Sequence, residues 1–222
     1  MKKKIIIYSH GFGVRSDDRG LFSDIKNVLP EFEHVTFDYT FVDEVHNTMV
    51  QPSLDQQSAK LNEVILKMRS ENPNAEFYLI CHSMGSLVGA VASPNEFIKT
   101  ILLAPLQILD KHMMIKKFGN RKGAHADMHG VTTFPRPDGS TTIIHPEFWS
   151  SFDGVDPKKV YGKLGEKTRL TIIRAKQDKL LLETNFDDLK PQVEIIEIDG
   201  GHDFGGHARK HVAEVIKDIL AK

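Results

Sequence analysis

The stretch Phe77-Tyr78-Leu79-Ile80-Cys81-His82-Ser83-Met84-Gly85-Ser86, continued by Gly89 and Ala90, decides how the rest of the chain is read. Its first half is a short, β-rich apolar run. Its second half, Met84 to Ala92, is a run of small residues with helical character. No turn sequence separates the two, so the chain passes from strand to helix at Ser83. That puts the serine on a tight turn, and small residues two positions to either side, Cys81 and Gly85, let the backbone fold closely there. On local sequence alone, an N-cap serine opening an ordinary helix explains the same residues.

Outward from that stretch, apolar runs and helical patterns alternate. Ile5-Ile6-Ile7-Tyr8 reads as a strand and ends at His10-Gly11. Leu21, Phe22, Ile25, Val28 and Leu29 follow with helical spacing until Pro30 stops them. His34 to Tyr39 reads as a second strand. Ser53 and Gln56 have the spacing of a capping box, and Leu54, Leu61, Val64, Ile65 and Met68 line one face of the helix it opens. Phe77 to Ile80 is a third strand, Ile101 to Leu103 a fourth, Leu170 to Ile173 a fifth and Val193 to Ile198 a sixth. Ala208, Val212, Val215, Ile216 and Ile219 stripe a closing helix. Strands apolar on both faces, separated by helices, predict an α/β fold: a mostly parallel sheet covered on both sides. Reactive residues in such folds collect at the carboxyl ends of the strands.

Residues 105–167 break the rhythm. They hold Phe118, Phe148, Trp149 and Phe152, and Pro137-Asp138-Gly139 between Val131–Phe134 and Thr141–Ile144 predicts a small hairpin. Read as an ordered insertion, the segment caps the sheet's active edge. A long crossover with no part in binding is the plainer alternative.

Composition narrows the class. The 222 residues suit one domain, 1–222, and 40% apolar against 27% charged residues allow a buried core. Lys and Arg (29) nearly balance Asp and Glu (30), which argues against nucleic acid as a partner. The single cysteine, Cys81, forms no internal disulfide and supplies no cysteine-rich metal cluster. Met-Lys-Lys-Lys opens like a secretory signal, but the apolar run behind it is Ile5–Tyr8, far short of the ~7–15 residues needed. No stretch approaches the ~18 apolar residues of a membrane span. A cytoplasmic domain is expected.

Each strand end carries a chemical group. His10-Gly11-Phe12-Gly13 follows the first strand; read plainly, it is a glycine-rich turn or a phosphate-cradling loop, although the rest of a nucleotide fingerprint is missing. Ser83 follows the third strand. Asp178, in Ala175-Lys176-Gln177-Asp178-Lys179, follows the fifth, and His202, in Gly200-Gly201-His202-Asp203-Phe204, follows the sixth. Any one of these could be an ordinary surface or capping group. Together, in the order Ser83…Asp178…His202, they suggest a hydroxyl nucleophile, an imidazole base and an orienting acid.

That order, the serine turn (similar to the nucleophile elbow Gly-x-Ser-x-Gly, with Cys81 for the first Gly) and the His-Gly loop resemble the α/β-hydrolase superfamily over almost the whole chain. Leu102-Leu103-Ala104-Pro105 is similar to the family's strand ending before its cap. Within the superfamily, the size, the absence of the usual first strands and the short mixed cap look most like small carboxylesterases of the cinnamoyl/feruloyl esterase type. The resemblance implies about six parallel strands and a cap at about 105–167. It implies a triad of Ser83, Asp178 and His202, an oxyanion hole from the backbone N–H groups of Phe12 and Met84, and no cofactor or metal. The reaction implied is hydrolysis of a small-molecule ester with a short or aromatic acyl group. Trp149, Phe148 and Phe134 are the candidate substrate contacts in the cap. A thioesterase, peptidase or acyltransferase would use the same residues, and a non-catalytic receptor on this fold is the rival from another class. A haloalkane dehalogenase is excluded, since it needs Asp at the elbow.

Other features read more plainly. Cys81 is a small core residue rather than a nucleophile. His125 and His129 have helical metal-pair spacing but lack the Glu of His-Glu-x-x-His. Lys116, Lys117, Arg121 and Lys122 read as a solvated basic face, with attraction of acidic substrates as the alternative. Arg15, Asp17, Asp18 and Arg19 read as solvating and capping the next helix. Asp199 and Asp203 are alternatives to Asp178, and Met113-Met114 could line an acyl pocket or pack a helix.

Overall fold

The computed structural model describes residues 2–136, 138–181, 184–190 and 192–222. In chain order the elements are β1 (Lys4–Ser9), α1 (Leu21–Val28), β2 (Glu33–Val35), β3 (Phe41–Asp43), β4 (Thr48–Gln51) and α2 (Leu54–Glu71). Then come β5 (Glu76–His82), α3 (Met84–Ala92), β6 (Lys99–Leu103), α4 (Lys111–Gly119), β7 (Thr132–Pro135) and β8 (Thr141–Ile144). The chain closes with α5 (Pro146–Ser150), α6 (Pro157–Gly165), β9 (Arg169–Ala175), β10 (Val193–Ile198) and α7 (His207–Ala221).

The main sheet has six strands in the order β10-β9-β6-β5-β1-β2. Every neighbouring pair is parallel. Side-chain alternation explains why the strands read as continuous apolar runs. Ile5, Ile7, Leu79, Cys81, Leu102 and Ile172 enter one core, shared with residues of α2, α3 and α6. Ile6, Tyr8, Tyr78, Ile80, Ile101, Leu103 and Ile173 enter the other, against α1 and α7. The capping box forms as expected: Ser53 Oγ accepts the Gln56 N–H, and Gln56 Oε1 accepts the Ser53 N–H.

Two differences from the sequence reading matter. The second strand pairs only over Glu33–Val35, not to Tyr39. Beyond Val35 the chain leaves the ladder, because side chains of the site hold it instead. Tyr39 N–H donates to His10 Nε2 (3.1 Å), its hydroxyl lies 2.8 Å from Ser9 Oγ, and Asp38 Oδ1 accepts the Ser16 N–H. Second, the predicted hairpin of β7 and β8 is half of a four-stranded sheet, β3-β4-β8-β7. Residues 41–51 supply the other half, with β4 parallel to β8. The strand β3 shows no apolar periodicity because its side chains are exposed. Pro137 of the predicted turn lies outside the described residues; Gly139, with φ +83, turns the chain back. Among the described residues no helix is long and apolar enough to cross a membrane.

Candidate active site

Ser83 is the single residue between β5 and α3, and its backbone adopts φ 53, ψ −122. A non-glycine residue there is strained by about 1–3 kcal/mol, so its surroundings must impose it. They do so by close approach. A Cβ on Gly85 would lie 2.2 Å from the Ser9 carbonyl oxygen, so only glycine lets α3 start this near β1. Gly89 makes room for the thiol of Cys81, whose Sγ would be 2.7 Å from an added Cβ. Cys81 thus fills the position where the elbow motif has glycine. It is wholly buried, and burial raises its thiol pKa, so it is a core residue. The Ser83 N–H is tied to the Leu103 carbonyl at 2.8 Å.

Asp178 and His202 stand on adjacent loops. The N–H groups of Lys176 and Gln177 donate to the carbonyls of Ile198 and Gly200, joining the chain after β9 to the chain after β10. Gly200 fits because a side chain would strike Ala208, 2.5 Å from its Cβ position. His202 Nε2 lies 2.8 Å from Ser83 Oγ, and Nδ1 lies 2.7 Å from Asp178 Oδ2. The other Asp178 oxygen accepts the N–H groups of Leu180 and Leu181. Burial alone would raise the Asp178 carboxyl, but the His202 hydrogen bond and charge, with these N–H donors, outweigh it and hold the group below its usual range. The two alternative acids are engaged elsewhere: Asp203 pairs with Arg19 at 2.7 Å and Asp199 with Lys176 at 3.4 Å.

The loop after β1 is drawn in by side chains. Gly11 N–H donates to Asp18 Oδ2 (2.8 Å) and Gly13 N–H to Gln51 Oε1 (3.1 Å). Phe12 and Met84 line the same cavity as Ser83. Their backbone N–H groups have no protein acceptor among the described residues. His10 is buried; desolvation lowers its pKa against the pull of the Gly11 carbonyl and of Asp18 and Asp38. It is a neutral ring that accepts the Tyr39 N–H.

Asp18 overturns its sequence reading. It is not a solvated cap but 3% exposed, turned inward by left-handed backbone at Asp18 (φ 47) and Arg19 (φ 55). The same oxygen that accepts Gly11 N–H lies 2.8 Å from His82 Nδ1, and His82 Nε2 lies 3.1 Å from the His202 carbonyl oxygen. The His202 carbonyl can only accept, so Nε2 carries a hydrogen, and the Asp18 carboxylate favours a second on Nδ1, the imidazolium form. Burial opposes this, yet the charge and hydrogen bond of Asp18 win, and the His82 pKa is raised. Asp18 is correspondingly lowered, against its own desolvation. The sequence signal was available: a histidine closing an otherwise apolar, buried strand needs a paired acid.

His82, His202 and Asp203 have possible metal-ligand atoms within 4.8 Å of one another. All four ring nitrogens of the two histidines are already hydrogen-bonded, so a cation would have to displace that network. His125 and His129 join no such cluster among the described residues.

Above Ser83 is a cavity of about 590 Å³. Of the three aromatic residues expected to meet substrate, only Phe134 lines it. Phe148 and Trp149 are buried beneath, where Phe148 packs on Phe12 (5.6 Å between ring centres), Trp149 and Phe152. Large flat side chains bury more area as fasteners than as linings. Phe118, which the sequence reading did not single out for binding, takes the place instead, packed in a three-ring cluster with Phe12 (5.2 Å) and Phe134 (4.9 Å). Met113 and Met114 also line the cavity, as do Lys117, Arg121 and Lys122.

Comparison with known proteins gives the fold. No protein-family model matches the chain, and no curated protein matches it in sequence. Among solved structures, Est1E from Butyrivibrio proteoclasticus with bound ferulic acid superposes with a TM-score of 0.69 at 14% identity, covering 99% of this chain and 89% of that one. A monoacylglycerol lipase from Paleococcus ferrophilus gives 0.63 at 14%, covering 99% and 96%. A putative non-heme bromoperoxidase from Mycobacterium tuberculosis gives 0.69 at 15%, covering 99% and 92%. The fold is the α/β-hydrolase fold, and at these identities it is the fold alone that is shared.

Proposed function

We propose that this protein is a serine hydrolase that cleaves small carboxylic esters through an acyl-Ser83 intermediate. The observation that carries the reading is the continuous hydrogen-bonded line from Ser83 Oγ through His202 to Asp178, at 2.8 and 2.7 Å, with Ser83 and His202 lining a cavity that Phe118 and Phe134 also line. A binding protein has no use for a hydroxyl held against an imidazole whose far side is fixed by a carboxylate.

In this mechanism His202 Nε2 takes the Ser83 proton as Oγ attacks the ester carbonyl carbon. Asp178 holds Nδ1–H and stabilises the imidazolium that forms. The charge that develops on the carbonyl oxygen meets the N–H groups of Phe12 and Met84, a contribution of a few kcal/mol each when such donors are in place. The imidazolium gives its proton to the departing alcohol oxygen as the C–O bond breaks. A water molecule, deprotonated by His202, then attacks the acyl-enzyme; the acid leaves and Ser83 recovers its proton. Phe118 and Phe134 as cavity walls suit a short or aromatic acyl group. The ferulic acid in the Est1E structure is an aromatic acid in the same fold.

The test is labelling by a fluorophosphonate together with turnover of p-nitrophenyl esters of rising chain length, a hydroxycinnamate ester and a thioester. Labelling and turnover that vanish together in Ser83→Ala support the reading. Retained hydrolysis in that variant, or no labelling of the native protein, would refute it.

A further inference from the structure

The cavity walls carry more positive charge than a neutral ester calls for. Five cationic side chains line them: Arg19, Lys117, Arg121, Lys122 and Arg136. The two carboxylates there are already used, Asp18 by His82 and Asp203 by Arg19. Among the described residues, Arg121 and Lys122 have no carboxylate partner. Arg121 is instead held over the rings of Phe134 (4.6 Å) and Phe118 (5.6 Å), which fixes a cation on the aromatic wall.

Arg136 is the more telling case. Its side chain is 12% exposed, and its Nε is buried with no hydrogen-bond partner. The nearest carboxylate, on exposed Asp138, is 3.8 Å from Nε, and Nη1 reaches Thr142 Oγ1 at 3.4 Å. The guanidinium lies against the loop after β1; a Cβ on Gly13 would come within 2.8 Å of Nη1. A desolvated guanidinium without a matched acceptor is unfavourable in the empty site and becomes favourable when an anion fills it. Burial, with repulsion from Arg19 and Arg121, weakens its charged form against the opposing pull of Asp138.

We propose that the ester taken by this site is anionic: an apolar group against Phe118 and Phe134, and a carboxylate or phosphate bound by Arg121 and Arg136. This rests on the ester-hydrolase reading above. Neither a neutral aromatic ester nor a plain fatty chain would use these guanidinium groups, whereas the planar fork of arginine matches both oxyanions.

Two matched pairs test it. One is the p-nitrophenyl half-ester of glutarate against its methyl-capped counterpart, which isolates a carboxylate on the acyl side. The other is a short-chain 1-acylglycerol 3-phosphate against the 1-acylglycerol, which isolates a phosphate on the alcohol side. The expected result is a kcat/KM about tenfold or more higher for the charged member of at least one pair. That ratio should shrink with added salt and collapse towards one in both Arg136→Gln and the more exposed Arg121→Gln. Ratios near one in both pairs, with fluorophosphonate labelling of Ser83 intact, would overturn this proposal alone. Absence of labelling and of turnover on all four esters would overturn the hydrolase reading and this proposal with it.

Discussion

Asp18 and His82 form a buried ion pair behind Ser83, and through it one carboxylate oxygen reaches three parts of the site. That oxygen holds Gly11 N–H of the loop after β1 and the His82 ring, and His82 in turn holds the backbone carbonyl of His202. Removing one partner leaves the other charge buried and alone, which costs about 3–5 kcal/mol. Asp18→Asn should therefore lower the unfolding free energy measured by urea titration by that order, and His82→Gln likewise. The double variant should lose much less than the sum of the two single losses, because each single change already forfeits the pair. Additive losses would mean the two residues act separately.

Ser83 should be dispensable for folding and indispensable for turnover. Ser83→Ala should reduce kcat by roughly 10⁴–10⁶-fold, and Asp178→Asn by on the order of 10⁴-fold. Because Ser83 sits at φ 53, Ser83→Gly relieves strain and should raise stability by about 1 kcal/mol while leaving the protein inactive. Thermal melts and an ester assay on the same preparations read both effects.

The contact between Cys81 and Gly89 predicts a compensating pair. Gly89→Ala drives a methyl against Cys81 Sγ and should cost about 1–3 kcal/mol. Cys81→Ala in the same chain removes the obstacle and should restore most of that loss. Gly85→Ala meets backbone oxygen rather than a side chain, so no second substitution should rescue it.

Acid stability follows from the buried titratable groups around the site. Asp18 and Asp178 have lowered folded-state pKa values, so their stabilisation is complete above the unfolded carboxyl value of about 3.9 and is lost as pH falls through the folded values. His10, also lowered, adds a loss that begins earlier, as pH falls below about 6.5 and the unfolded ring takes up a proton that the buried ring resists. His82 acts oppositely: its raised value stabilises at low pH, and the gain disappears as pH rises through the folded value. His34, lowered likewise by burial, adds to the early loss. Urea midpoints should fall in two stages from pH 7 to pH 3, and His10→Gln should shrink the first. A single transition confined below pH 4 in the native protein would count against the His10 assignment.

The main sheet was legible because parallel strands buried on both faces must be apolar throughout, and Ile5–Tyr8, Phe77–Ile80 and Ile101–Leu103 satisfy that without reference to any partner. The second sheet was only half legible. The hairpin of β7 and β8 announces itself through its turn residues. Phe41–Asp43, lying exposed at a sheet edge, carries no periodic pattern, and its pairing partner β4 joins β8 across some ninety residues of intervening chain. Which candidate rings line the cavity was not legible, for a related reason. Aromatic content marks Phe148 and Trp149 as places where much area is buried, but whether a ring faces a cavity or fastens the cap depends on what stands beneath it.

The sequence by itself determined the sheet, the order of the hydroxyl, carboxylate and imidazole along the chain, and the strand end at which each appears. Those are consequences of local periodicity and short-range turn chemistry, which neighbouring residues settle among themselves. Only the tertiary structure decided that His202 meets both Ser83 and Asp178, that Asp18 turns inward to His82, and that Arg121 and Arg136 face the same cavity as the serine. Each of those joins residues far apart in sequence, where distance is set by packing, and charge acts on whatever packing has brought close.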